Sequence, residues 1–457
     1  MFTKYKIVHF VGIGGVGMSG IAEVLHNLGY EVTGSDVKES DTTRRLRGLG
    51  MKIYIGHAAS NLGYAHVVVI SSAVSRENPE VIEAWKKSVP VIPRAEMLAE
   101  LGRLKYGILI AGAHGKTSTT SLVATILGEG GLDPTVVIGG RLNSMGTNAK
   151  LGQGDFLVAE ADESDGSFLK LNPTIAVITN IDREHMDFFR DMDVLKQAFL
   201  LFINKIPFYG TAVVCIENPY IRDLLPAIER RVITYGLSDA ADMYARDIRH
   251  SGVRMEFEAV LKGESLGRFT VPIPGVHNVL NSLAAIIVGL ELELTVEVIA
   301  SALNSFGGIH RRFELKGEAR GVVVFDDYGH HPSEIRATLK AAKGCFSDRR
   351  LIVLFQPHRY SRTADLMNDF AGSFGDADRL YLLPIYPAGE SPIPGVSSEM
   401  LAQRIEGAGK GHARYVPDRK EMAALVLSEL GSGDVLITLG AGDIYRLGEE
   451  ILEGLKK

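Results

Sequence analysis

Cysteine is scarce. The 457-residue chain holds two, Cys215 and Cys345, far apart and each beside apolar residues. Neither belongs to a C-x-x-C pair, which excludes a disulfide framework and a zinc ribbon and predicts two buried, reduced thiols. Excess positive charge is missing too. With 49 Lys and Arg against 55 Asp and Glu the net charge is −6, so the chain lacks the basic footprint of a nucleic-acid binder. A local basic pocket for an anionic substrate stays compatible with that balance. No run of about 18 apolar residues occurs, so no segment reads as a membrane span. "IVHFVGIGGVGM", after Lys4 and Lys6, imitates a secretory leader, but four glycines break it and no A-x-A site follows. The expectation is a cytoplasmic protein with no membrane or nucleic-acid partner. Short-period repeats and low-complexity tracts are absent as well.

What is present is an alternation of strand and helix signals. At about 150 residues per domain, this length predicts roughly three domains. "KIVHFVGIGG", "YEVTGSD", "AHVVVISSAV" and "VPVIPRAEML" read as strands with loops, and "VGMSGIAEVLHNLG" as a helix ending on Gly29. That pattern predicts a parallel, doubly wound sheet. The charged, Gly-punctuated "ELGRLKYG" marks a boundary, giving a first domain over 1–103. A second, over 104–308, runs from strand "YGILIAGA" through "DFLVAEAD", "TIAVITNI" and "GTAVVCI" to a β-rich stretch, Arg246 to Pro274, and the helix "HNVLNSLAAIIVGLEL". A third, over 309–457, has strands "GVVVFDDY", "RLIVLFQP", "RLYLLPIY" and "GDVLITLG" with helices between them.

Two stretches read as phosphate seats. "AGAHGKTST" lies between a strand and a helix, the setting in which unpaired helix N–H groups and partial positive charge meet an anion. Its spacing, G-x-x-G-K-T from Gly112 to Thr117, is two residues tighter than the common G-x-x-x-x-G-K-[ST]. Lys116 offers a charge for the β- and γ-phosphates of ATP, and Thr117 a hydroxyl for Mg²⁺. In the first domain, Gly12, Gly14, Gly15 and Gly17 form "GIGGVG" between a strand and a helix, and Asp36 ends the next strand. This satisfies the dinucleotide fingerprint. The physics asks only for a diphosphate on a helix N-terminus and a ribose hydroxyl on a carboxylate, and both NAD and UDP supply those.

Carboxylates gather where metal ligands are wanted. Magnesium needs hard oxygen donors, and α/β sheets bind ligands at the C-terminal ends of their strands. Glu160 stands at such an end, with Asp162, Glu163 and Asp165 behind it. "TNIDREHMDFF" repeats the arrangement with Asp182, Glu184, His185 and Asp187. In the third domain "HRRFE" and "HRYSRT" cluster Arg311, Arg312, His358, Arg359 and Arg362, which suit carboxylate, diphosphate or a transferred phosphoryl group. "DDYGHHP" sets Asp326, Asp327, Tyr328, His330 and His331 after a strand, in position to orient a substrate.

Together "GAHGKTST", "EADESD", "NIDREHMD", "HNVLNSLAA" and "RRFE" resemble the Mur ligase family of ATP-dependent amide-bond synthetases, in which the tight G-x-x-G-K-T loop recurs. The likeness runs from about His9 to Ile444. It implies a Rossmann-like UDP-sugar domain, a central ATPase domain of P-loop type with a parallel sheet, and a C-terminal Rossmann-like α/β domain for the amino acid. ATP would lie on Gly112, Ala113, His114, Gly115, Lys116, Thr117 and Ser118, with His277 and Asn278 on the adenine side. Thr117 and Glu160 would hold one Mg²⁺ and His185 a second. The UDP-sugar would meet Gly12, Gly14, Gly15, Gly17, Asp36, Ser71, Arg94, Asp327, Tyr328, His330, His358, Arg359 and Arg362. Lys116, Glu160, His185, Arg311 and Arg312 are the implied catalytic set. "FVGIGGVGMSGIAEVLHNLGYEVTGSD", "GGIHRRFELKGE", "DDYGHHPSE" and "FQPHRYSRT" point within the family to UDP-N-acetylmuramate and L-alanine as substrates, in a monomer or weak homodimer. The chain departs from several relatives at Leu200, where they carry a carbamylated lysine. Rival readings are an NAD oxidoreductase with an added ATPase domain, a regulatory ATP-binding module, and a family member that recycles whole peptides onto the same sugar.

Overall fold

A computed structural model describes residues 6–71, 73–103, 105–139, 149–407 and 412–457. Three sheets carry the chain. The first contains β1 (Ile7–Val11), β2 (Glu31–Asp36), β3 (Lys52–Ile55), β4 (Val67–Ile70) and β5 (Val91–Pro93), in the order β3-β2-β1-β4-β5. All its pairings are parallel. Its helices include α1 (Val16–Asn27), α2 (Asp41–Gly48), α3 (Pro79–Lys86) and α4 (Arg94–Gly102). The order reverses beside β1, so the crevice at its C-terminal end is a natural ligand seat.

The second sheet has ten strands: β6 (Tyr106–Ala111), β7 (Thr135–Val137), β8 (Ala149–Lys150), β9 (Phe156–Glu160), β10 (Ile175–Ile178), β11 (Thr211–Cys215), β12 (Val232–Gly236), β13 (Met243–Ser251), β14 (Arg254–Leu261) and β15 (Glu264–Val271). β6 lies between β9 and β10, parallel to both, so Ala111, Glu160 and Ile178 end at one edge. Fully buried β-branched and leucine side chains fill β6, as a strand covered on both faces requires. α5 (Lys116–Glu129) follows it directly.

The third sheet runs β16-β17-β21-β18-β19-β20, from β16 (Glu314–Ala319), β17 (Val322–Asp327), β18 (Leu351–Phe355), β19 (Arg379–Leu382), β20 (Ala413–Tyr415) and β21 (Val435–Leu439). Only β16 is antiparallel to its neighbour. Separate hydrophobic clusters pack on its two faces, one around Phe355, Phe370 and Phe374, the other around Leu354, Leu436 and Ile451.

By contacts the chain forms two compact units. One comprises Met1–Asp247, Phe257–Phe269 and Leu280–Gly307; the other comprises Ile248–Glu256, Thr270–Val279 and Gly308–Lys457. The first sheet and most of the second therefore share one unit, with parts of β13, β14 and β15 assigned to the other, although the expected boundary at 103/104 falls between the two sheets.

The structure corrects two details of the sequence reading. "VPVIPRAEML" is not a single strand: the strand stops at Pro93 and Arg94 opens a helix, whose Met97, Leu98 and Leu101 are buried at helical spacing. Of the two thiols only Cys215 is fully buried; Cys345 is half-buried beside His250.

Candidate active site

The glycine turn of the first sheet is seated by the end of β2. The Ser35 carbonyl accepts from the N–H groups of Gly12 and Ile13 at 2.9 and 3.0 Å. The Asp36 carboxylate accepts from Gly14 N–H at 2.8 Å through Oδ2. Asp36 thus serves the turn itself as well as standing where the ribose acid was expected. A methyl group on Gly12 would meet Ser71 Oγ at 3.1 Å, and one on Gly17 would meet the Arg94 guanidinium at 2.6 Å. Hence Ser71 and Arg94 border the turn. Arg94 also reaches Asp162 at 3.2 Å, linking the turn to the carboxylate loop after β9.

The tight phosphate loop is pinned to the end of β10. His114 N–H donates to Asn180 Oδ1 at 2.8 Å, and Thr179 Oγ1 and Asn180 Nδ2 donate to the His114 carbonyl at 2.6 and 2.9 Å. Gly112 has φ +135°, and a Cβ there would overlap Thr179 Oγ1 at 2.2 Å. Only glycine fits such a backbone so close to a neighbour. The His114 imidazole pairs with Asp182 at 2.9 Å. Thr117 and Ser118 lie on the first turn of α5, half-buried.

Lys116 folds back over this loop. Its ammonium donates to both Glu163 oxygens at 3.0 Å, to the Ala113 carbonyl at 3.3 Å and to the Gly112 carbonyl. Burial pulls the lysine down, but Glu163 and Asp162 outweigh it and hold the ammonium above its ordinary range. Burial raises Asp162, and Lys116 and Arg94 more than reverse that. One lysine therefore sits among Asp162, Glu163 and Glu184. A polyphosphate can share that space only if cations offset the carboxylates.

The donor chemistry suits such a cation. Ligand atoms of Glu163, Glu184 and His185 lie within 4.8 Å of one another, a hard-oxygen set with one imidazole. His185 has φ +57° and precedes a short helix, Met186–Phe189. Glu160, expected to share a magnesium with Thr117, accepts from Gly139 N–H at 2.7 Å through Oε1. The carboxylate that turns toward Lys116 is Glu163, three positions on. No side-chain account attaches to Asp187, which lies outside the described side chains.

In the second unit the two adjacent arginines part ways. Arg311 is buried, with φ +60°, and its guanidinium donates to Asp326 at 2.8 Å and to the carbonyls of Gly440 and Gly442 at 2.6 and 3.0 Å. It lies over the rings of Tyr328 and Tyr445 at 5.1 and 4.6 Å. These contacts make Arg311 a staple between the start of β16, the end of β17 and the loop after β21. Arg312 lies over the Tyr328 ring at 5.3 Å and reaches Glu334 at 3.5 Å. Asp327 accepts from the N–H groups of Phe313 and Gly329, both at 2.8 Å.

Beside them His330 meets Tyr328 and His358 edge-on, and His358 stacks on Tyr386 at 5.5 Å. Arg362 donates to His358 Nδ1 at 3.4 Å. Arg359, with φ +71°, caps the helix Tyr360–Asp365. Burial lowers His330 to about 3, and burial with repulsion from Arg362 and Arg359 lowers His358 to about 4. Burial and Arg312 lower His277 to about 4. All three rings are neutral at pH 7, inside a cationic rim. Asn278, by contrast, donates to the Pro274 carbonyl at 2.7 Å within its own helix cap.

Sequence reasoning passed over Glu163 as the lysine's partner and Asp326 as the partner of Arg311. It also missed Glu80, which is buried behind the glycine turn. A single acidic residue after "NP" carries no signal that distinguishes it from a helix-start cap.

Comparison with known proteins agrees with this architecture. Residues 7–106 match the Mur ligase family catalytic domain, 110–289 the Mur ligase middle domain, and 311–442 the Mur ligase glutamate ligase domain. The chain is 59% identical over 456 residues to the UDP-N-acetylmuramate–L-alanine ligase of Geotalea uraniireducens, covering 100% of this chain and 99% of that one. It is 58% identical to the ligase of the same name from Geobacter sp. strain M21, with the same coverage. Among solved structures it resembles UDP-N-acetylmuramate–alanine ligase from Thermotoga maritima, with a TM-score of 0.84 and 29% identity over 98% of both chains. A murein peptide ligase from Psychrobacter arcticus shares the fold at a TM-score of 0.72 and 24% identity, over 99% of both chains. With its three α/β domains, this chain belongs to the Mur ligase family.

Proposed function

We propose that this protein joins L-alanine to the lactyl carboxylate of UDP-N-acetylmuramate, using ATP and passing through an acyl phosphate, as a step in making peptidoglycan precursors. The observation that carries the reading is the pairing of two phosphate seats in one chain: a glycine turn held by Ser35 and Asp36, and a lysine-bearing loop held by Thr179 and Asn180. Full-length likeness to ligases of that name supports the choice of substrates. In this reading residues 1–103 take the UDP-sugar, 104–308 take ATP, and 309–457 take the amino acid, in a cytoplasmic monomer or weak homodimer.

The carboxylate and the γ-phosphate repel each other, so the reaction needs fixed positive charge between them. Lys116 provides part of it, once its ammonium exchanges Glu163 for phosphate oxygens. Thr117, Glu160 and His185 would hold Mg²⁺, with Glu163 and Glu184 beside His185. Bound magnesium would supply the remaining charge neutralisation. The carboxylate oxygen attacks the γ-phosphorus and ADP leaves. The amine of L-alanine then attacks the acyl carbon and phosphate leaves. Arg312, Arg359 and Arg362 offer fork-shaped donors for the carboxylates and diphosphate. His330 and His358, held neutral, add no competing charge.

The test is phosphate release with UDP-N-acetylmuramate and ATP against each amino acid in turn. L-alanine should give the highest kcat/KM. An absolute requirement for a nicotinamide cofactor, or no sugar-dependent turnover, would refute the reading.

A further inference from the structure

The first sheet hides an ionised carboxylate that the reaction above does not use. Glu80, the second residue of α3, is fully buried. Its Oε2 accepts from His9 Nε2 at 2.9 Å and from the Ser35 hydroxyl at 2.6 Å. Its Oε1 accepts from Asn61 Nδ2 at 2.8 Å and from Ala58 N–H at 3.1 Å. Burial pushes Glu80 up, but the bonds from His9, Ser35 and Asn61 outweigh it and bring it down to about 2. A carboxylate in this state accepts only.

That constraint propagates outward. The single proton of the Ser35 hydroxyl is spent on Glu80, so Ser35 Oγ can only accept from its other neighbour, His57 Nδ1, at 3.0 Å. His57 must then carry its proton on Nδ1, which also lies 3.4 Å from Glu80 Oε1. In the neutral ring that leaves Nε2 as the lone-pair acceptor, on a side chain that is 20% exposed. The adjoining Gly56 N–H bonds to the Asp36 carbonyl, which sets His57 at the C-terminal edge of the sheet beside the expected ribose acid. Through its main chain, Ser35 is also the residue that holds the N–H groups of Gly12 and Ile13.

We infer that Glu80 is a positioning residue for the nucleotide-sugar site: by holding Ser35 it seats the glycine turn, and through Ser35 it fixes His57 as a hydrogen-bond acceptor for a donor group of the bound nucleotide. The inference rests on the reading that this sheet takes the sugar nucleotide. It assigns work to a residue that touches no substrate, and it makes the His57 tautomer a direct reporter.

The experiment has two arms. In the first, the protein is labelled with ¹⁵N-histidine and long-range ¹H–¹⁵N spectra are recorded without ligand, with His57→Asn used to assign the ring. The wild type should show Nδ1–H, and both Glu80→Gln and Ser35→Ala should shift His57 toward Nε2–H. A wild-type ring protonated on Nε2 overturns the proposal. In the second arm, either variant should raise the KM for UDP-N-acetylmuramate roughly tenfold, the worth of a lost hydrogen bond, while kcat and the KM for ATP stay within about twofold. An unchanged sugar-nucleotide KM, or equal losses in all three constants, overturns it. Ser35→Ala leaves the His9, Asn61 and Ala58 bonds to Glu80 in place, so the test survives if Glu80→Gln does not fold. Failure of the underlying reading is distinct: wild-type protein would then not bind UDP-N-acetylmuramate in calorimetry, while the tautomer arm would still decide whether Glu80 sets the ring.

Discussion

Lys116 Nζ stands 3.0 Å from a carboxylate oxygen of Glu163, with the lysine side chain 15% and the glutamate 2% exposed. The tight glycine loop thus holds its lysine against an internal carboxylate. On the proposed reading, nucleotide binding exchanges one charged partner for another instead of filling an unpaired site.

Removing that lysine should stop the reaction without unfolding the protein. Lys116→Ala is expected to lower turnover by at least about a hundredfold, the usual effect of deleting a fixed charge at a developing anion. Phosphate release and circular dichroism, measured on the same sample, check both halves of the statement. Turnover near that of the wild type would remove Lys116 from the chemistry.

Glu160→Gln and His185→Ala should each raise the magnesium concentration needed for half-maximal rate, or eliminate the rate. Both residues sit at the phosphate-loop edge of the second sheet, Glu160 at the end of β9 and His185 in the loop after β10. A magnesium titration at saturating ATP reads the effect. Unchanged dependence in both variants would place the metal elsewhere, with Glu163 and Glu184 the next residues to vary.

These two variants also mark where the sequence stopped being informative. The strands, the two glycine turns and the acidic loops were legible because periodicity and glycine spacing are local properties. Which carboxylate of "EADESD" faces Lys116 was not, because it depends on how the loop after β9 turns and not on any local pattern. The neighbours Arg311 and Arg312 were equally opaque. Both guanidiniums lie over Tyr328, but with left-handed backbone at Arg311 and again at Phe313 the first goes inward to Asp326 and the second reaches Glu334. The helix that Arg94 opens was missed because "VPVIPRAEML" reads as a strand with loops, whereas buried Leu98 and Leu101 on the next turns decide for helix. β8 and β20, at two and three residues, are too short to show any period.

The first sheet should prefer UDP-N-acetylmuramate to NAD. Calorimetry on the full chain, with the two ligands compared in one buffer, settles the choice that the glycine fingerprint leaves open. Tighter binding of NAD would reverse the assignment of the turn.

Stability should fall in mild acid because of the buried rings in the second unit. Folding holds His330 at about 3 and His358 at about 4, mainly through burial, against about 6.5 for an unfolded histidine. Above that unfolded value both states are neutral and stability does not depend on these groups. Between it and the folded values the unfolded chain binds more protons, so stability is lost as pH falls from about 6.5 toward about 4. Thermal unfolding at pH 7 and pH 5 should show a drop in Tm, and His358→Gln should make that drop smaller. An identical drop in the variant would take His358 out of the account.

The proposed role of Lys116 carries a further prediction, about which phosphorus is attacked. Charge at the β/γ end of ATP favours transfer of the γ-phosphoryl group, whereas adenylation would want it at the α-phosphate. The products should be ADP and phosphate. With ¹⁸O in the lactyl carboxylate, one labelled oxygen should appear in the phosphate released. Label in AMP, or pyrophosphate among the products, would show the opposite.

Gly17 and Gly112 are both closed to larger residues, but on different terms. At Gly17 the obstacle is the guanidinium of Arg94, the far end of a flexible side chain, and no positive φ is involved. At Gly112 the backbone itself is left-handed, so clearing Thr179 away would not admit a side chain. As far as packing goes, position 17 can therefore change only together with position 94, and the two should covary among related sequences wherever the glycine is lost. Position 112 has no such partner to trade with, and its glycine should stay fixed even in lineages where the contacts around it have been rebuilt.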